Sequence, residues 1–249
     1  SFMAVADAKM TGKPGIVMVS RGPGATNASI GIHVSQQDAT PVIMFVGQVS
    51  REDRGREAFQ EVDYVKTYSD IAKWVIEVSD ADKISECVRR AFVIAQSGTP
   101  GPVIISLPED MLLDETNAPA LIPAKISQPK PNMDDILEIC DMLAIAKRPL
   151  IIAGGQIGGN KGRNLLRIVS ETWNIPVATA WRHQDLFNTN HPNFSCHLAF
   201  NMPPIFKDTL NESDLIIGIG TRLGDVVTQG YKIPSAPQPI QKLIHIYNK

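Results

Sequence analysis

Four short runs, IVMVS at 16–20, PVIMFVG at 41–47, WVIEV at 74–78 and PVIISLP at 102–108, are almost uninterrupted in β-branched and other apolar residues. A strand with one wet face alternates polar and apolar side chains, so runs without alternation must be covered on both faces. Between them, ATNASIGIHVSQQ at 25–37 and DADKISECVRRAFVIAQSG at 80–98 read as helices. In the second, Ile84, Val88, Ala91, Phe92 and Ala95 recur at helical spacing, and Gly98 supplies the stop. Strands alternating with helices define an α/β fold with a parallel sheet between helical layers.

Residues 114–131, DETNAPALIPAKISQPKP, are rich in proline and small or polar residues and show neither period, as expected of a surface linker. Beyond it the alternation restarts. Helix NMDDILEICDMLAIA, strand PLIIAGG, helix KGRNLLRIVSETWN, strand IPVATA, a polar loop, helix PPIFKDTLNES, strand DLIIGIG and a last run KLIHIYNK predict a second doubly wound unit. The expected domains are therefore 1–113 and 132–249, two Rossmann-like parallel-sheet units joined by the linker. The opening SFMAVADAKM reads as the middle of a helix with no cap before it, and the final run as a strand with no helix after it, so both domains are expected to be incomplete pieces of a longer polypeptide.

The net charge of -2, with lysines and arginines dispersed, offers no basic field for nucleic acid or anionic membranes. No apolar run approaches the roughly 20 residues that span a bilayer. Cys87, Cys140 and Cys196 show none of the short spacings of zinc or redox sites and read as buried thiols of a cytoplasmic protein. His183, His191 and His197 share a loop region, but their spacing matches no metal motif and no acidic cluster joins them, so no metal site is expected there.

Ligands of open α/β sheets bind outside the carboxyl ends of the strands, which directs attention to the loops following those ends. SRGPGATN at 20–27 follows a strand and opens a helix, and the N–H groups there favour an anion or serve a plain connector. It lacks the third glycine and the lysine of the common phosphate loops. Gln48 ends the next strand and can both donate and accept. The charged segment 51–56 that follows is expected to be mobile, and it leads to AFQE, where Phe59 stands in polar company. Lys73 precedes a strand and by itself reads as a surface lysine. In the second unit, IIAGGQIGG at 151–159 and GTRLGDVV, with Arg222 and Asp225, offer further loops to a ligand or to each other.

The order FMAVADAKMTGKPGIVMVSRGPGATN, PVIMFVGQV, AFQEVDYV, IAQSGTPGPVIISLPEDM resembles thiamine-diphosphate-dependent enzymes of the acetolactate synthase type over nearly all of residues 1–111. The resemblance implies a pyrimidine-binding first domain and a central domain of nucleotide-fold type. It also implies an intact enzyme that decarboxylates a 2-keto acid and passes the resulting carbanion to an acceptor. Pro23, Gly24 and Asn27 would stand against the cofactor's pyrimidine ring with Gln48, the one catalytic candidate in the chain, beside it. Phe59, Gln60 and Lys73 would line the substrate channel across a homodimer or homotetramer interface. The catalytic glutamate would fall upstream of Ser1. Mg2+ and the diphosphate would be held by a third domain absent here, since no GDG…N stretch occurs, so this chain alone is expected to be inactive.

The departures bear on the chemistry. Thr99 stands where members holding FAD commonly have arginine, TRLGDVV stands for RFDDR, and WRHQDLFNTNHPNFSCHLAF replaces the usual methionine-rich and HG segments. Loss of a fixed guanidinium removes a bidentate phosphate partner and disfavours FAD. Ser50 replaces the proline usual after GQV. Two alternatives stay open: another thiamine-diphosphate decarboxylase or lyase, such as one of oxalyl-CoA decarboxylase type with ADP in the central domain, and a non-catalytic nucleotide-binding α/β protein.

Overall fold

In the computed structural model, which describes residues 1–127 and 129–248, Val42, Ile43, Met44, Val46, Val103, Ile104 and Ile105 have no exposed surface. Gln128 of the expected linker and Lys249 of the last expected run lie outside the described residues. The chain divides into two units, Ser1–Gln128 and Pro129–Lys249.

The first unit runs α1 (Phe2–Thr11), β1 (Gly15–Val19), α2 (Pro23–Gln37), β2 (Val42–Gln48), α3 (Tyr64–Tyr68), β3 (Trp74–Glu77), α4 (Ile84–Gln96), β4 (Pro102–Pro108). The strands lie in the order β1-β2-β4-β3 and every pair is parallel. The period of two sorts the apolar runs between two layers. Val42, Met44, Val46 and Ile104 pack with Ala4 and Val5 of α1, Ala25, Ala28 and Ile32 of α2, and Tyr64 and Tyr68 of α3. Ile43, Val103 and Ile105 face the other way, onto Ala91 and Ala95 of α4. The short helix α3 was not expected; Asp63 caps it, its carboxylate accepting from Lys66 N–H at 3.1 Å.

In the second unit α5 (Met133–Ile145), β5 (Pro149–Ala153), α6 (Gly159–Trp173), β6 (Val177–Thr179), β7 (Phe194–His197), α7 (Pro204–Glu212), β8 (Leu215–Ile219) and β9 (Lys242–Ile246) follow. The sheet order is β7-β6-β5-β8-β9, again parallel throughout. Leu150, Ile152 and Ile216 serve one layer, and Ile151, Ala153 and Ile217 the other. The polar loop expected after β6 contains β7. This strand sits at the sheet edge and buries only Cys196 fully, so its sequence never shows the continuous apolar run of a central strand.

Two glycines of the first unit separate close packing from backbone conformation. At Gly15 an added Cβ would stand 2.0 Å from the Ala4 carbonyl oxygen, a backbone atom of α1. At Gly12, the cap of α1, φ is 70° with nothing within 4 Å. Gly15→Ala is expected to destabilise the unit by about 3 kcal/mol because helix and strand must part. Gly12→Ala is expected to cost only about 1 kcal/mol, the strain of a side chain in the left-handed region. Urea unfolding of the two variants side by side measures the difference, and equal midpoints would contradict the close approach of α1 to β1.

Candidate functional site

At the carboxyl end of β1 the chain reverses through Gly22, the N-cap of α2, at a φ of 59°, and Pro23 occupies the first helical turn. Proline is suited there, since its fixed φ is helical and its missing N–H would lack a partner anyway. Pro23 and Asn27, four residues apart on one helix face, are both exposed, while Gly22, Ala25 and Ala28 are buried. Gly24 between them packs on Ser20, to whose Oγ an added Cβ would come within 2.7 Å.

Behind this segment stand two phenols that the sequence reading missed. The Tyr64 hydroxyl accepts from Gly22 N–H at 2.9 Å and donates to the Gly47 carbonyl at 3.1 Å. The Tyr68 hydroxyl donates to the Ala25 carbonyl at 2.6 Å. Burial raises both phenols above their ordinary value, Tyr68 to about 12. Their spacing in DYVKTY, with aspartate as cap, is the local signal that could have placed them on one helix face.

Gln48 ends β2 with no exposed surface. Its Nε2 donates to Val62 O at 2.8 Å and to Glu77 Oε2 at 3.3 Å, and its Oε1 accepts from Val49 N–H at 2.9 Å. Glu77 also accepts from Arg54 Nε at 3.2 Å and Ser106 Oγ at 3.3 Å. Arg54 Nη1 reaches Glu61 at 2.5 Å, and Glu61 takes the N–H groups of Gly55 and Ala58 as well.

The segment 51–56, expected to be mobile, is tied at both ends. Arg51–Asp53 forms a short helical turn. Arg51 donates through N–H and Nε to Asp110 at 2.9 and 2.6 Å, and through its two Nη atoms to Asp114 at 2.7 and 2.9 Å. A fork of donors facing two carboxylates across the loop holds what composition alone reads as a solvated charge run. The Gly55 N–H, followed by those of Ala58 and the Arg54 guanidinium, holds Glu61 below the usual carboxylate range. Arg51 does the same for Asp110.

Phe59 lies 77% exposed at the tip of this loop. Gln60 has φ 65° and abuts Gly22, where an added Cβ would stand 2.7 Å from its own Cβ. Pro23, Gly24, Asn27, Gln48, Phe59 and Gln60 thus gather around the carboxyl ends of β1 and β2. Lys73 does not join them: it precedes β3 at the amino edge, its N–H bonded to Pro102 O. Its Nζ donates to the carbonyls of Ile94 and Ser97, both at 2.5 Å, closing the end of α4.

In the second unit the turn 154–159 meets its own protein. An added Cβ on Gly154 would lie 2.5 Å from Gly220 O, and one on Gly155 2.4 Å from the His183 ring. His191 Nε2 faces Glu171 at 3.2 Å, and His197 Nδ1 faces Thr179 Oγ1 at 3.1 Å while its ring stacks on Trp181. Arg222 Nε donates to the Tyr247 hydroxyl at 3.1 Å. Among the described residues no group of three or more His, Cys, Asp or Glu side chains is placed to hold a metal ion.

Residues 1–67 match the family model described as thiamine pyrophosphate enzyme, N-terminal TPP binding domain, and residues 136–249 match that of the central domain. The acetolactate synthase large subunit of Parasynechococcus marenigrum is 34% identical over 231 residues, 90% of this chain and 37% of the relative. A probable acetolactate synthase large subunit of Methanococcus aeolicus is 34% identical, covering 96% of this chain and 41% of that protein. The mitochondrial acetolactate synthase of Schizosaccharomyces pombe is 33% identical, covering 94% and 37%. The chain thus spans about two fifths of the length of these relatives.

The depressed carboxylates give the loop a signed response to acid. A contribution from a lowered pKa is full above the unfolded value of about 4 and is lost as pH falls through the folded value. Limited proteolysis across residues 51–61 is therefore expected to be slow and flat from neutrality down to about pH 5 and to accelerate below about pH 4. Glu61→Gln is expected to bring the acid pattern of cleavage to pH 7. A cleavage rate indifferent to both pH and this substitution would contradict the anchoring.

Proposed function

We infer from one premise, that the chain belongs to the thiamine pyrophosphate enzymes, a function for the whole protein: an acetolactate-synthase-type carboligase that decarboxylates a 2-keto acid and joins what remains to an acceptor. The observation that carries this reading is the alignment of acetolactate synthase large subunits over 90% or more of the chain.

The residues at the carboxyl edge of the first unit fit one part of the cofactor. An aminopyrimidine is a flat ring with a polar rim. Pro23 offers a rigid apolar surface one helical turn from Asn27, whose amide both donates and accepts. Gly24 between them adds no side chain. We assign these three residues to the wall of the pyrimidine pocket. Gln48 is its inner residue: its amide orders the end of β2, both Nε2 hydrogens are taken by Val62 and Glu77, and Oε1, which accepts from Val49 N–H, keeps one lone pair for a donor. When bound, thiamine diphosphate supplies the electron sink for carbon–carbon cleavage. The protein's part is to hold the ring, to keep the Gln48–Glu77 cluster dry behind it and to aim the substrate.

For the substrate channel, the exposed ring of Phe59 and the neighbouring Gln60 are the candidates on the same edge as the wall. Lys73 enters a channel only by releasing Ile94 and Ser97. Magnesium and the diphosphate are assigned to a part of the whole protein outside these residues, which contain no GDG stretch. FAD is not assigned. The turn 154–155 presents its glycine backbone to Gly220 and His183, where a dinucleotide would need open space. We further propose a homodimer or homotetramer in which each pyrimidine pocket is completed by a neighbouring subunit. No helix among the described residues is long and apolar enough to cross a membrane. We propose a cytoplasmic enzyme, with the mitochondrial relative of Schizosaccharomyces pombe marking the other location open to this family.

The parent protein, supplied with thiamine diphosphate, magnesium and pyruvate, is expected to form acetolactate. Its failure to do so would overturn the carboligase assignment. Asn27→Ala should weaken thiamine diphosphate binding about tenfold, the loss of one or two polar contacts, with little change in melting temperature. Isothermal titration calorimetry reads this, and an unchanged Kd would remove Asn27 from the wall.

A further inference from the structure

We propose that Tyr64 is a positioning residue, whose hydroxyl fixes where the Pro23–Asn27 wall stands relative to the end of β2. The proposal rests on the reading of that wall as the pyrimidine pocket. It starts from two backbone groups that regular structure leaves without partners. The β1–β2 ladder ends with Val19 opposite Val46, so Gly47 lies beyond it on that side. Gly22 is the N-cap of α2, ahead of the first intrahelical N–H bond. One buried hydroxyl answers both, accepting from Gly22 N–H at 2.9 Å and donating to Gly47 O at 3.1 Å. A hydroxyl is the smallest group that serves a donor and an acceptor at one point.

The surroundings leave the phenol little freedom. Tyr64 is 2% exposed and packs with Ala25, Ala28, Met44 and Val46. The loop can close on it because Gly22 has no Cβ, which would stand 2.7 Å from that of Gln60. Pro23 follows Gly22 directly, so a displacement of Gly22 moves the wall itself. Tyr68, one turn further along α3, provides the internal comparison. Its hydroxyl bonds the Ala25 carbonyl, which as a helix carbonyl also takes the intrahelical bond, so losing Tyr68 Oη orphans no backbone group.

The test uses the intact parent protein with thiamine diphosphate and magnesium, in wild type, Tyr64→Phe and Tyr68→Phe, reading cofactor Kd by calorimetry and melting temperature by scanning calorimetry. Both variants should melt lower. Tyr64→Phe should bind the cofactor about tenfold more weakly, and Tyr68→Phe within about twofold of wild type. Equal cofactor affinities in two variants of equal melting temperature would reduce Tyr64 to a stabilising residue and overturn the proposal alone. A wild type that does not bind thiamine diphosphate would overturn the pocket reading and the positioning role with it. If Tyr64→Phe does not fold, hydrogen exchange of the wild type decides. The Gly22 amide should exchange as slowly as the core strands, and exchange at the rate of an open loop would overturn the proposal.

Discussion

Everything in the first unit depends on the β2–β4 ladder being dry on both sides. Seven residue pairs run in register from Val42–Pro102 to Gln48–Pro108, and the side chains along them alternate between two apolar layers. Parallel strands cannot be joined by tight hairpins, so each crossover must carry a helix or a long loop back over the sheet. The helices that supply the second layer of each core are the same segments that complete the crossovers. The carboxyl edge is then the place where loops emerge with chain to spare, and the candidate site lies there because the ladder ends there.

Where the ladder ends, polar groups change from liability to construction material. Gln48 and Glu77, the last residues of β2 and β3, and Ser106 near the end of β4 are joined through Glu77, which also accepts from Arg54. Arg54 and Arg51 in turn bind carboxylates on either side of the 51–61 loop. The result is a loop whose tip, Phe59, is apolar and exposed while its base is fastened by ion pairs. An apolar side chain held out on a fastened loop suits a surface meant to be covered by a substrate or by a neighbouring subunit.

Much of this was legible in the sequence. The continuous apolar runs gave the central strands, and the helical spacing of Ile84, Val88, Ala91 and Ala95 gave α4. The rule for open α/β sheets directs attention to the loops after β1 and β2. What escaped shares one physical trait: it depends on partners distant in sequence. β7 is an edge strand whose alternation is hidden among polar residues. The Arg51 fork faces aspartates 59 and 63 residues away, so composition sees only a charged run. Tyr64 and Tyr68 read as apolar filling because their hydroxyls meet backbone groups of Gly22, Gly47 and Ala25. Resemblance groups Lys73 with the channel, whereas its carbonyl contacts at the end of α4 follow from the fold of α4 and β3.

The alternation within β2 has one more consequence. Val42, Met44 and Val46 serve one layer, Ile43 and Phe45 the other, and both sets are oily. A slip of the strand by one residue would hand each layer the other's side chains without exposing a single one to water. Hydrophobicity is therefore blind to the error, and shape alone would have to detect it. Gln48 breaks the degeneracy: in the slipped frame its amide would leave Val62 and Glu77 and enter an apolar layer with nothing to bond. The glutamine thus acts as a frame mark, the one letter in the strand by which correct reading is distinguished from a shifted one.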